Sequence, residues 1–346
     1  NVGFLMLARL SFDKAARQFE LAVLAAGLTF LLPWIIRKSG RLRGYYWWYG
    51  AAGFGLLTAV LIAGSLSFGA KLAITIRGIT FQPSEFVKIM FVFFLAGMLY
   101  ETQDFRRVVI TTCAAAAHVL VLVLSRDLGG ALIFFVTYLV MLYIATGQPL
   151  YFLAGLLAGS GAAWVAWKLF SRVQAWSDPF SVIEHGGYQI TQSLFAIGTG
   201  GWFGLGLGHG MPYKIPVVEE DFIFAAIAEE FGILFAVFLI FVYLCSFYMI
   251  FNIAMCLKDS YYKLVAAGLG TLVIFQAFLS VGGVIKFIPS TGVTLPFISY
   301  GGSSLVSMFA IWAVIQGMYL KRSDEVSGNE KEAKKEKRKK ADKKNK

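Results

Sequence analysis

Residues 216–252 read PVVEEDFIFAAIAEEFGILFAVFLIFVYLCSFYMIFN. From Phe222 onward the stretch is almost wholly apolar and longer than the roughly 20 helical residues that cross a bilayer core. It is continuous rather than alternating, so it reads as a spanning helix and not as a barrel strand. Five carboxylates crowd its start: Glu219, Glu220 and Asp221 in a row, then Glu229 and Glu230 about two turns deeper. Ionisable groups at membrane depth are costly, so each needs a partner or a function.

The rest of the chain repeats the apolar pattern. Of 346 residues, 58% are hydrophobic and 15% charged, which excludes an ordinary water-soluble domain. Nine apolar runs predict spans at about 19–36, 46–65, 86–100, 107–125, 130–146, 149–170, 222–252, 261–281 and 303–320. The fold class is therefore all-α: a polytopic helical membrane protein, with residues 1–320 as its transmembrane domain. The chain begins at Asn1, and NVGFLMLAR reads as the end of an earlier element; a truncated amino terminus with a further span upstream is expected. Residues 321–346 carry twelve basic and six acidic side chains with no apolar periodicity. They predict a disordered basic tail beside acidic lipid, with nothing else pointing to nucleic acid. Cys113, Cys245 and Cys256 are scattered and suggest neither a disulfide framework nor a metal site. His118, His185 and His209 form no metal-ligand spacing, and His118 reads as a core residue.

Basic residues favour the cytoplasmic side, and RKSGRLRG (37–44) holds four. Counting spans from that loop puts 66–84, 126–129, 171–221 and 282–302 outside. The basic tail then falls inside, as the same rule independently requires. The outer face thus owns the polar motifs, including one large extracellular loop at about 171–221.

Each motif has a structural and a functional reading. Between Gly198 and Gly210 seven of thirteen residues are glycine. Without a preceding strand or a phosphate-binding lysine, this is a segment of tight turns and close backbone approach, not a nucleotide loop. Gln189 and Gln192 lie at helical spacing in 188–197, which predicts a short interfacial helix. In QPSEFVK (82–88), Glu85 and Lys88 are one turn apart and can pair. Asp127, beside Arg126, either caps the next helix or serves a site, with Lys88 as a partner. In KFIPSTGVTLPFISYGGSS (286–304), proline and glycine prevent a regular helix, as suits backbone lining a cavity. Lys286 there either holds a phosphate or snorkels to the interface. Asp221, at a water–membrane boundary, is either an N-cap or a general base. Ala225, Ala228 and Gly232 follow it as a small-residue face for close helix packing.

Taken in order, QPSEF..K, DLGGA, GYQ..QS..AIG.GG..G.GLG, DFIFA.IAEE.G and P.TG..LPF.SYGGSS resemble the SEDS family of RodA, FtsW and SpoVE. The resemblance spans about residues 19 to 320 and lies nearer the FtsW and SpoVE members. That family consists of ten-span peptidoglycan polymerases, and nine spans fit a fragment lacking the first. The resemblance implies a bacterial plasma-membrane enzyme working on two lipid II molecules at the outer leaflet. It implies inverting β-1,4 transfer with release of undecaprenyl pyrophosphate. Asp221 takes the catalytic position. Glu85, Lys88, Arg126, Asp127, Gln189, Gln192, Lys286 and Ser299 fall in the motifs that bind substrate or shape the cavity. Arg126, Lys286 or a divalent cation (Mg or Mn) would steady the pyrophosphate. A single-span class B penicillin-binding protein is the implied partner. Two departures stand out. Leu72 and Ala73 occupy the place of an Arg-Trp pair, which puts donor-lipid contacts from that loop in doubt, and Arg126 replaces a common proline. A lipid II flippase, or a non-catalytic scaffold for the transpeptidase, remains as an alternative.

Overall fold

The computed structural model describes residues 2–67, 70–76, 79–101, 104–169, 176–181 and 187–344, the side chains of 65–72, 75–80, 162–169 and 326–344 excepted. His185 and the side chain of Leu72 therefore lie outside the described residues. The chain opens with α1 (Val2–Leu10) and α2 (Phe12–Thr29). Ser11 separates them, its hydroxyl accepting the Lys14 N–H at 3.5 Å as an N-cap. After Leu31 comes α3 (Leu32–Lys38), with Pro33 in its first turn. Then follow α4 (Tyr46–Ala63), α5 (Ser84–Leu99), α6 (Phe105–Leu124), α7 (Leu128–Thr146) and α8 (Pro149–Leu169). The chain ends with α9 (Tyr188–Gly200), α10 (Ile223–Cys256), α11 (Ser260–Val284) and α12 (Gly302–Lys344).

Each predicted span falls on helical residues, the first on α2 and α3 together. Among the described residues seven are long and apolar enough to cross a membrane: Phe12–Lys38, Leu42–Ala63, Phe105–Leu124, Leu128–Thr146, Ile223–Cys256, Ser260–Val284 and Gly302–Glu325. The other two are α5 and α8. Helix α5 has 16 residues, about 24 Å at 1.5 Å per residue, short of the hydrocarbon core. It is packed against α4, α7 and α11, so protein rather than lipid sets its length. Helix α11 is the central post, buried over most of its length. Small residues permit this: a Cβ on Gly268 would sit 2.6 Å from Met141 Sδ and 2.8 Å from Val92 Cγ1.

Two expectations differ. Residues 65–81 are not a loop in an all-α chain but an antiparallel meander of β1 (Ser65–Ser67), β2 (Ala70–Ile76) and β3 (Ile79–Phe81). Ile74 pairs with Phe81 and Thr75 with Thr80, and this run of β-branched residues favours strand. The tail expected to be disordered continues α12 to Lys344, in keeping with the high helix propensity of its Lys, Glu and Ala.

Helix α10 is broken at Gly232, whose φ of 85° and ψ of 168° are not helical. The glycine-rich segment fills the break. Leu205 N–H donates to the Glu229 carbonyl and Gly206 N–H to that of Glu230, both at 3.0 Å. Ile233 N–H donates to the Gly201 carbonyl at 2.9 Å, and Leu234 N–H to that of Trp202 at 3.3 Å. Four backbone groups at the break thereby have partners, as membrane depth favours. A Cβ on Gly232 would stand 2.4 Å from Gly204 N, and one on Gly204 2.3 Å from the Glu230 carbonyl oxygen. Glycine at both places is a condition of this contact.

Candidate active site

The loop between α11 and α12 carries Lys286 and Ser299 and touches elements that carry other candidates. Near its start, Lys286 adopts a φ of 59° as α11 ends, and its carbonyl accepts the Trp176 indole N–H at 3.1 Å. Further on, Thr291 and Val293 press on Gly129, where a Cβ would meet Val293 Cγ2 at 2.3 Å. Gly129 lies in the first turn of α7, behind Asp127. That residue is an N-cap, one of its two readings, its Oδ1 accepting Gly130 N–H at 2.8 Å.

Thr294 joins the loop to a buried polar network. Its carbonyl accepts from Gln276 Nε2 at 3.1 Å, and its hydroxyl lies 2.8 Å from that of Ser304. Gln276 Oε1 accepts from Lys88 Nζ at 2.7 Å, and Lys88 also donates to Glu85 Oε2 at 2.6 Å. Ser307 donates to the same Glu85 oxygen at 2.9 Å. The predicted Glu85–Lys88 pair exists, with Lys88 only 3% exposed. The ammonium is held by Gln276 as well, a partner on another helix that the sequence reading did not name.

At the loop's far end, Tyr300 N–H donates to the Glu219 carbonyl at 2.7 Å, fastening the acidic run to the same hub. The three acids then have different surroundings. Lys14 of α2 forms an ion pair with the Glu219 carboxylate and lies 5.4 Å from the Tyr300 ring centre. Burial alone would raise the Glu219 pKa, but the Lys14 ammonium and a backbone hydrogen bond leave it below the usual carboxylate value. Glu220 is pushed up, first by burial and then by the neighbouring Asp221 charge, with Lys14 opposing. Asp221 is half-buried. Phe222, not Asp221, occupies the N-cap position of α10, and the Phe222 side chain makes no cap hydrogen bond.

The deeper acids have partners too. Glu229 Oε1 accepts Met211 N–H at 3.0 Å. Glu230, 1% exposed, lies 3.4 Å from Arg9 Nε. Arg9 also donates to the Gly208 carbonyl at 3.3 Å, so α1 ties the glycine-rich segment to α10.

The remaining candidates take structural places. Gln189 and Gln192 lie on α9, the predicted short helix, and Gln189 donates to the Pro216 carbonyl at 3.2 Å. Ser299 is buried, and its hydroxyl accepts Leu295 N–H at 2.9 Å inside its own loop. Arg126 is exposed at the α6–α7 turn, with a φ of 62° that proline cannot adopt. Neither Arg126 nor Lys286 forms an ion pair among the described residues. His118 is a core residue, its Nδ1 2.8 Å from the Ala114 carbonyl; His209 and all three cysteines are exposed. Among the described residues no three or more His, Cys, Asp or Glu side chains gather as a metal site. Lys14, Arg9, Gln276, Thr294, Ser304 and Ser307 were missed. Only Gln276 carried a signal, as a lone amide inside an apolar run.

The family profile for the cell cycle proteins FtsW, RodA and SpoVE matches residues 2–323. The chain belongs to this family. A mycobacterial relative, the peptidoglycan glycosyltransferase RodA of Mycobacterium tuberculosis, is 35% identical over 91% of this chain and 74% of its own length. The stage V sporulation protein E of Bacillus subtilis is 33% identical, covering 76% of this chain and 75% of its own. The probable peptidoglycan glycosyltransferase FtsW of Saccharophagus degradans is 33% identical over 91% and 88%. These identities do not separate the branches, so the leaning toward FtsW and SpoVE gains no support. Among solved structures, a chain from a peptidoglycan synthase complex, described as coordinating polymerization and crosslinking, superposes with a TM-score of 0.77. It is 26% identical, with 92% of this chain and 94% of that one covered. The RodA of Thermus thermophilus gives a TM-score of 0.70 at 25% identity, with 92% of each chain covered.

Proposed function

We propose that the protein is a peptidoglycan glycosyltransferase that polymerises lipid II at the outer leaflet of a bacterial plasma membrane, with Asp221 as its general base. Family membership supports the activity. What carries the assignment to Asp221 is the different surroundings of the three adjacent acids. Glu219 is neutralised by Lys14 and anchored through its carbonyl, and Glu220 is biased toward its neutral form. Asp221 stands half-buried on non-helical backbone ahead of α10. In the reaction, the Asp221 carboxylate takes the proton of the 4-hydroxyl of the acceptor's N-acetylglucosamine as that oxygen bonds to the anomeric carbon of the donor's N-acetylmuramic acid. The carbon–oxygen bond to pyrophosphate breaks on the opposite face, giving a β-1,4 link with inversion. Lys286 and Arg126, both on the face read as extracellular, are the cations for the leaving pyrophosphate. The buried Glu85–Lys88–Gln276 network fixes the loop to which the acidic run is fastened. A single-span class B penicillin-binding protein is the partner, and the basic end of α12 lies in the cytoplasm.

The break in α10 is the one feature a flippase reading would claim, since transporters bind substrate at broken helices. Here residues 201–206 occupy four of the backbone groups at the break, the Glu229 and Glu230 carbonyls and the Ile233 and Leu234 N–H groups, which favours protein packing there over a ligand. The test is polymerisation of labelled lipid II by the protein with its transpeptidase. Glycan ladders from wild type, and none from a folded Asp221→Asn variant, are expected. Equal ladders from both would move the base to Glu220; none from wild type would favour the flippase or scaffold.

A further inference from the structure

The glycine-rich segment carries a feature that the reaction does not use. Trp202 and Phe203 are 67% and 84% exposed, and Leu205, Leu207 and Met211 are each nearly half exposed. Such a row is unexpected in a loop read as extracellular, where water would face it. It is also not loosely held. Its backbone is bonded into the break of α10, and Arg9 and Glu229 clamp its far side.

Its place along α10 explains the row. From Phe222 to Glu230 every residue is buried in protein. Exposed apolar side chains begin at Leu234 and continue through Val237, Phe238, Phe241 and Tyr248 to Met255. Leu234 to Met255 rises about 32 Å, close to the thickness of a hydrocarbon core. The lipid-facing surface of α10 therefore starts at Leu234, the residue whose N–H donates to the Trp202 carbonyl. Trp202 and Phe203 continue that surface upward, at the level where tryptophan belts sit.

We infer that residues 201–207 are not an aqueous loop but a re-entrant membrane anchor. Trp202, Phe203, Leu205 and Leu207 insert among acyl chains of the leaflet at the amino-terminal end of α10. The partner is bilayer lipid, identified by continuity with the lipid face of α10 and by the four backbone bonds that hold the segment to that helix. The anchor fixes the start of the 208–221 stretch, which ends at Asp221, at the membrane boundary. The inference holds whatever reaction the protein catalyses.

The test is depth by spin labelling. The full chain, with Cys113, Cys245 and Cys256 replaced by serine, is reconstituted in vesicles of phosphatidylethanolamine and phosphatidylglycerol. Nitroxides are attached in turn at Phe203→Cys, Leu207→Cys and, as an aqueous reference, Asp178→Cys. Collision with oxygen should exceed collision with a water-soluble nickel chelate at 203 and 207, and the order should reverse at 178. The same order at 203 and 207 as at 178 would overturn the anchor. So would protection from both reagents, which would mean that protein covers the row. If a labelled variant fails to fold, Trp202→Phe in the otherwise native chain decides the matter. The substitution should remove a component of tryptophan fluorescence that brominated lipid quenches, and no change in that component would refute the insertion.

Discussion

Replacing Lys88 with methionine tests whether the buried network holds the fold at its centre. The substitution keeps most of the side-chain volume and removes the charge. Glu85 would then keep only the Ser307 hydroxyl on its Oε2, and Gln276 Oε1 would lose its donor. Breaking a buried ion pair from one side costs roughly 3–5 kcal/mol, because the surviving charge is left uncompensated. Lys88 is 3% exposed, but the Glu85 side chain keeps 14% of its surface, so the lower end, about 3 kcal/mol, applies. The assay is unfolding in mixed micelles titrated with a denaturing detergent, run as a double-mutant cycle with Glu85→Gln. Glu85→Gln alone should cost about as much, since it strands the ammonium. The double variant should be more stable than either single one, because no charge remains buried. Costs below about 1 kcal/mol that simply add would mean that the pair is solvated and the network does not bear on stability. That result would also remove the physical reason for the hub loop to be fixed.

Gly232→Ala should be severely destabilising, because it places a Cβ 2.4 Å from Gly204 N at a φ of 85°. Gly198→Ala, in α9 with open space around it, should be neutral or stabilising by about 0.5–1 kcal/mol in the same titration. Lys14→Met should remove a pH-dependent contribution. The folded pKa of Glu219 is depressed, so the ion pair stabilises above the unfolded carboxylate value and is lost as pH falls through the lower folded one. The stability gap between wild type and variant should be widest near neutral pH and close in acid; a gap independent of pH would refute the assignment. Ser299→Ala leaves the buried Leu295 N–H unsatisfied and should cost about 1–3 kcal/mol. It should leave the substrate KM unchanged, which separates a structural hydroxyl from a binding one.

What the sequence disclosed and what it hid follow one physical line. Spans were legible because hydropathy and length act locally, and so was the Glu85–Lys88 pair, set by one helical turn. The break in α10 was not legible, because Gly232 is tolerable there only with residues 201–206 supplying four backbone partners from a distant segment. The strands at 65–81 hid in a chain whose composition argued for helix. The acidic run posed the hardest question: nothing local ranks Glu219, Glu220 and Asp221 as bases. The proposed ranking rests on Lys14, 205 positions away, and on Tyr300, whose N–H holds the Glu219 carbonyl. A cation that engages one of three adjacent carboxylates lowers the cost of keeping the next ones close together. On the proposed assignment the run of acids is one catalytic carboxylate with two neighbours that hold its backbone and set its field, and the lysine on α2 belongs to the site with the aspartate.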